Sequence, residues 1–496
     1  MVTGPGSKDA KARKSAPAKQ EPNQVTSQDS PGIPGMDLIK SLQHTERDVF
    51  YSTYWEDACL PAVHPMFKSI SFSAWDRPML QDAILALSSC HLSRLNPDRR
   101  DSLSSNMVHT GTFSPNLVHQ TRSQLYYSSA IKKFISLNRK DYHSDAIIAF
   151  TVIILFAYIE SSMGNFQGFY CHVQGLANSI MELREAIGDT TLKALLTAWM
   201  QVRYVVWWAR VYFSALDVHL ELPSVPLPKL LEGCFGSIQE RRVMALSIMC
   251  ESHRLNFKEA LGHWRSHSEC NELNHLQLAE EAKKSDEWLS HLPISEQPLN
   301  PGNPACNLDD SNPPIYFQSH DAALNFAYYV VGRIMQCTGS LRQLQSQTPH
   351  QYEYTCNEEE PWVYLLLRIA KGTNIQTSIS RNSYTIGFSG LLLAAILRCQ
   401  SLSLSIGIQE WLEALQNMQP TEEGAFPVYQ TLGVVKAIIY QRMMGREIYG
   451  VTLPVDDGGG TPKFTAYNSQ PISTLLLHGR CRVSNEFFTE CVFIGL

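Results

Sequence analysis

Six residues in one stretch carry the donor atoms of a zinc site: Cys250, His253, His263, His267, Cys270 and His275. Thiolate and neutral imidazole are ligands that zinc prefers. Cys250/His253 and His263/His267 are each spaced to share a helix face. The overall spacing matches no structural zinc module, and folding would have to bring the two pairs together. The simpler reading is a half-exposed helix on which His263 and His267 flank Trp264. Two acidic pairs, Asp309/Asp310 and Asp456/Asp457, lie among Gly, Pro and Asn. They read as solubilising loop carboxylates rather than a Mg²⁺ site. Gly387-Phe388-Ser389-Gly390 comes closest to a nucleophile elbow, but its spacing is wrong and no strand precedes it. Gly458-Gly459-Gly460-Thr461-Pro462-Lys463 is glycine-rich without the strand and helix that frame a phosphate loop. Trp199, Trp207 and Trp208 read as core, with an interhelical small-molecule pocket as the alternative. No dinucleotide fingerprint, His-Glu-x-x-His or Asp-Asp-x-x-Asp/Glu is present. The sequence therefore assigns no catalytic, cofactor-binding or metal-ligating residue, implies no cofactor, and predicts that the chain is not an enzyme.

The elements that would position any site are helices. The run Ala146–Ile159 is apolar almost all round, so its helix should be buried on most sides. It falls short of the roughly 20 residues that span a bilayer. Glu160 leads into a turn, and a second helix carries His172, Gly175 and Leu176. Leu80, Ile84, Leu87, His91 and Leu95 repeat at helical spacing behind Pro78, which makes His91 a core-edge histidine rather than a ligand. Further helices are expected over Tyr126–Asn138, Thr190–Val218, 235–292 (as a pair), Asp321–Cys337, Pro361–Lys371, Phe388–Leu404, Trp411–Met418 and Pro427–Met444, with 98–118 as a loop. Strand and hairpin signals are scarce and no fixed-period repeat occurs. The predicted fold class is all-α, an irregular multi-helix array. Residues 1–36 form a polar tail with a loose basic cluster (Lys8, Lys11, Arg13, Lys14, Lys19), residues 37–446 the helical domain, and residues 447–496 a tail without an assigned element.

The 496 residues are 44% hydrophobic and 18% charged, enough for a real core, and a net charge of −6 argues against a broad nucleic-acid-binding surface. Twelve dispersed cysteines without a Cys-x-x-Cys suit buried free thiols in a reducing compartment. The polar N-terminus carries no secretory h-region. An intracellular, soluble protein without a membrane span is expected.

Several stretches resemble the regulatory domain of fungal zinc binuclear-cluster transcription factors, specifically the fungal-specific transcription factor domain of type 2. Tyr54-Trp55 with Pro61 and Pro65 is similar to that family's entry segment. Arg77–Leu92 resembles its "pLl.ailAlsa.hl" helix, and Tyr126–Leu137 its "Yy..Ai..l" helix. Leu155–Gly164 with His172-Val173-Gln174-Gly175-Leu176 resembles its "LL...e...g.......Hl.Ga" hairpin, with Leu176 where Ala is usual. The likeness runs from about Ser41 to Gly445. The family's DNA reader, a repeated Cys-x-x-Cys-x(6)-Cys that binds two zinc ions, is missing: the first cysteine here is Cys59. The resemblance implies a nuclear transcriptional regulator, of the kind found with secondary-metabolite gene clusters, that works through protein partners of the transcription machinery or a DNA-binding co-regulator. Direct DNA binding is not expected of it. A small-molecule effector among the helices and self-association are both compatible with the resemblance. The competing readings are a helical biosynthetic-pathway enzyme, a small-molecule-binding protein, and a truncated regulator without function.

Overall fold

The computed structural model describes residues 44–71, 76–95, 98–99, 113–137, 146–163, 168–169, 171–172, 189–212, 214–264, 272–300, 313–345, 358–420, 422–424, 426–454 and 474–494. The chain divides into Met1–Arg47, of which residues 44–47 are described, and a compact unit from Asp48 to Leu496.

That unit is mostly helical. The first elements are α1 (His44–Tyr54, which enters the unit at Asp48 and is continued by a π-turn at Trp55–Cys59), α2 (Met66–Ser71), α3 (Pro78–Leu95), the strand pair β1 (Asp98–Arg99) and β2 (Phe113–Ser114), α4 (Leu117–Ile135), α5 (Ala146–Met163), α6 (Asp189–Tyr212) and α7 (Leu216–Glu221). The middle holds α8 (Ile238–Gly262), α9 (Glu272–Ser290), α10 (His320–Gln336), α11 (Gly339–Gln345), α12 (Glu360–Gly372), α13 (Ile375–Arg381), α14 (Phe388–Ile396) and α15 (Leu402–Asn417). A two-residue ladder of β3 (Glu422–Glu423) and β4 (Phe426–Pro427) leads into α16 (Val428–Met443), followed by β5 (Arg446–Thr452), β6 (Thr474–Cys481) and β7 (Phe487–Phe493).

Side-chain caps define several helix starts. Asn116 accepts from the amides of Val118 and His119, and Ser237 and Glu240 form a reciprocal capping box before α8. Ser319, Asn374 and Ser401 cap α10, α13 and α15. Each such cap contributes about 1 kcal/mol. The Ser401 cap also explains a difference from the sequence reading. Instead of helices over Phe388–Leu404 and Trp411–Met418, α14 stops at Ile396 and one continuous α15 begins at Leu402. Likewise α4 starts at Leu117, inside the stretch expected to be a loop, because Asn116 supplies the cap.

Helix α5 is the centre of the core. It has a mean hydropathy of 2.0 and 78% of it is buried inside the protein. At 18 residues it is longer than the apolar run alone and is apolar enough to cross a membrane, but protein already covers it. It packs between α3 and α6. Helices α3 and α4 lie side by side, joined by Ser123 Oγ donating to the Ala86 carbonyl (2.8 Å) and Lys133 to Asp82 (2.6 Å). Helices α8 and α10 form the second pair. Here Arg242 donates to Asp321 (2.7 Å) and Asn325 (2.8 Å), and Asn256 donates to the Met335 carbonyl (2.8 Å).

The C-terminal region departs from the all-helical reading. β5, β6 and β7 make an antiparallel sheet with β6 in the middle, in register Arg446↔Cys481 and Arg480↔Phe487. The Leu453 amide donates to the Ser214 carbonyl (2.9 Å), which ties the end of β5 to the helical body. Period-2 reasoning misses this sheet for a physical reason. β5 is buried at six successive positions, so it shows no polar alternation. β7 alternates only between exposed and half-buried positions.

Candidate functional site

Four segments converge on a cleft. α3 supplies Arg94 from its last turn, and α5 supplies Tyr158, Ser161 and Ser162 where its apolar run gives way to polar residues. α6 presents a wall of Val202, Val205, Val206 and Ala209, and the loop after α13 adds Ser383 and Tyr384. The open interior is about 30 Å³. That suits a water or two, or a molecule of a few heavy atoms, rather than a drug-sized ligand, whose pockets run to about 300–1,000 Å³.

Arg94 is ion-paired with Glu422, and each side chain keeps 16% of its surface exposed. Burial works against the guanidinium charge, but the Glu422 carboxylate outweighs it and holds Arg94 protonated. The Tyr384 ring meets Tyr158 edge-on at 5.2 Å and lies 5.5 Å from His91. His91 Nδ1 is 2.8 Å from the Tyr54 hydroxyl. Burial lowers the His91 pKa to about 3, so the ring is neutral. Burial also pushes Tyr54, Tyr384 and the Cys59 thiol far above their ordinary values, and raises Cys90 to about 11. At neutral pH these groups are protonated, and a protonated thiol is a poor nucleophile. The cleft thus sets serine and tyrosine hydroxyls and the Arg94 guanidinium against an aliphatic wall.

A second polar cluster also involves α5. The Tyr127 hydroxyl donates to Glu160 Oε1, and His172 Nε2 lies 2.9 Å from the same phenol oxygen and 3.9 Å from Glu160. The phenol proton is committed to Glu160, so His172 Nε2–H is the donor to Tyr127. The Phe156 ring closes the cluster, edge-on to Tyr127 at 5.1 Å. Burial, reinforced by Glu160, holds the Tyr127 phenol well above its usual range. Glu160 Oε2 has no hydrogen-bond partner among the described residues, which makes Tyr127 the donor that matters. Tyr127→Phe should therefore lower unfolding stability by about 1–3 kcal/mol, read as a shift in urea midpoint at constant m.

The third cluster is an anchor. Glu423 is fully buried. Its carboxylate accepts from Ser378 Oγ (2.7 Å), Asn382 Nδ2 (2.6 Å) and the backbone amides of Phe388 (3.0 Å) and Ser389 (2.7 Å). The last two are free donors of the α14 N-terminus, where a negative charge is favoured. Asn382 Oδ1 also meets His320 Nε2 at 2.8 Å, which extends the network to α10. Two glycines make room for it. A Cβ on Gly387 would overlap the Glu423 carboxylate, and Gly424 has φ +67° and lies against Gly387.

This settles the residues that the sequence singled out. Ser389 is no nucleophile: it is buried, and its hydroxyl donates to the Glu423 carbonyl (2.9 Å). Within the zinc-like stretch, His253 is buried, stacked on Phe257 at 4.0 Å and hydrogen-bonded to the Tyr212 hydroxyl at 2.7 Å. Cys250 is a buried thiol, and His263 stacks on Phe487 at 5.6 Å. His267 and Cys270 lie outside the described residues, as do Gly175, Asp309/Asp310, Asp456/Asp457 and the Gly458–Lys463 run. Among the described residues, no three His, Cys, Asp or Glu side chains are arranged to hold a metal ion. The tryptophans are core: Trp207 donates to the Pro223 carbonyl (3.1 Å), Trp208 packs on His253, and Arg203 lies over Trp199. α6 instead lines the cleft through its valines. His91 is buried between Tyr54 and Tyr384, deeper than the core-edge position its spacing implied. Arg94, Tyr384, Glu422 and Glu423 were not found from sequence, because they come from distant segments and belong to no motif.

Comparison with known proteins adds no identity: no family model, curated protein or solved structure matches the chain.

Proposed function

We propose that the chain is a transcriptional regulatory module of the fungal-specific transcription factor type. In this reading it is nuclear and acts through contacts with the transcription machinery or a DNA-binding co-regulator. The observation that carries the reading is the meeting of the resemblance residues at one place. Tyr127 from the "Yy..Ai..l" helix, Glu160 from the end of α5, and His172 from the "Hl.Ga" segment are far apart in sequence and share one hydrogen-bond cluster. Polar residues that serve each other in this way pack the domain rather than do chemistry, as the regulatory reading expects.

The cleft fits the same role. Serine and tyrosine hydroxyls beside a charge-neutralised arginine and an aliphatic wall suit reversible binding of a small polar effector. The second reading, a small-molecule-binding protein outside transcription, rests on that cleft alone. Deleting the gene and measuring transcripts of its neighbours separates the two. The regulatory reading expects a set of transcripts to change and to recover when the wild-type gene is restored. An unchanged transcript profile sinks it.

A further inference from the structure

The α15/α16 hairpin carries an apolar face that the described residues do not cover. Two contacts fix its register: Arg442 Nη1 donates to Ser405 Oγ at 2.6 Å, and Lys436 pairs with Glu413 at 3.1 Å. Ile406 therefore lies beside Met443, one turn from Leu402 on the same helix. On the other, Tyr440 lies one turn before Met443 and Met444, at the end of α16. These five side chains keep between 39% and 69% of their surface exposed. Scaled to ordinary side-chain areas, they present roughly 450 Å² of largely apolar surface, within the range of the largest patch on a monomer and about half of the roughly 800 Å² that one partner contributes to a standard interface. The face ends in charges of opposite sign on the two helices: Glu410 and Glu413 on α15, Lys436 on α16.

We propose that this face is a homodimer interface, in which a second copy docks about a two-fold axis running along the hairpin. Such an axis lays α15 of each copy on α16 of the other and builds a four-helix layer. Ile406 then meets Met443 of the second copy, Leu402 meets Met444, and Glu410 meets Lys436, whose own-chain partner is Glu413. An end-over-end arrangement would instead place the charges on the apolar end, so the rim selects the orientation as well as the partner. The inference stands independently of the regulatory reading.

Sedimentation of the full chain at micromolar concentration tests it. The wild type should sediment at twice the chain mass, and Ile406→Asp as a monomer with unchanged far-UV circular dichroism and melting. Lys436→Glu and Glu410→Lys should each weaken the dimer about tenfold or more. An equimolar mixture of these two variants should restore it, because each contact then regains opposite charges. A monomeric wild type, a dimer indifferent to Ile406→Asp, or a mixture no tighter than either variant alone would overturn the proposal.

Discussion

Glu423→Ala should destabilise the protein by about 3–5 kcal/mol, a large part of the roughly 5–15 kcal/mol that holds a domain together. The substitution removes the acceptor of Ser378 Oγ and of the Phe388 and Ser389 amides, and leaves Asn382 Nδ2 with Ser378 Oγ alone. A hydrogen bond to a charged group contributes about 1.5–3 kcal/mol, and an orphaned buried donor adds its desolvation cost. Glu423→Gln should fall between, since the amide keeps one acceptor but points its NH₂ at donors. Gly387→Ala should approach the alanine variant by a different route, because its methyl group displaces the carboxylate. The exposed pair Arg342–Glu358 provides the contrast. Arg342→Ala should change stability by less than about 0.5 kcal/mol. Urea midpoints for the four variants would order them. Equal midpoints for Glu423→Ala and Arg342→Ala would show that the anchor contributes nothing.

The second large effect is loss of stability in mild acid. His64, His91, His219, His253 and His478 are all buried. Burial lowers His64, His91 and His219 to about 3 and His478 to about 4, with Arg242 adding to the shift at His64, Arg94 at His91, and His478 at His219. His253 is driven down by burial and by Arg398. The sign follows from linkage. The unfolded chain titrates near 6.5, so below that pH it binds protons that the folded chain refuses. The stabilisation is fully present above 6.5 and is lost as pH falls towards the folded values. Between pH 7 and 5.5 each histidine loses roughly 1 kcal/mol, and the five together on the order of 5 kcal/mol. Unfolding in this window should take up several protons, before the carboxylates begin to titrate. Melting temperatures that stay flat from pH 7 to 5.5 would contradict the neutral-histidine core. His91→Asn should remove about one proton from the uptake.

Much of the fold was legible in the sequence. The apolar run before Glu160 marked the core helix, and Pro78 with the Leu80–Leu95 spacing marked α3, because a 3.6-residue period leaves a trace wherever one helix face is buried. The sheet was not legible. β5 is buried on both faces, and a long insertion separates it from β6, so neither alternation nor a hairpin turn advertised it. Sites fared similarly. His91 was placed as structural because it sits inside a periodic helix. Glu423 and Tyr384 were invisible, because their meaning depends on α14 and α3 arriving from elsewhere in the chain. Conversely, the zinc-like spacing around His253 is a by-product of a helix whose inner face stacks histidine on phenylalanine.

The regulatory reading is the central claim, and chromatin occupancy of the tagged full chain in its source cells is the measurement closest to it. The account predicts a nuclear protein that crosslinks to discrete genomic sites next to the genes whose transcripts change on deletion, with occupancy that is lost when its DNA-binding partner is removed. A protein outside the nucleus, or one with no enrichment over an untagged control, would contradict it.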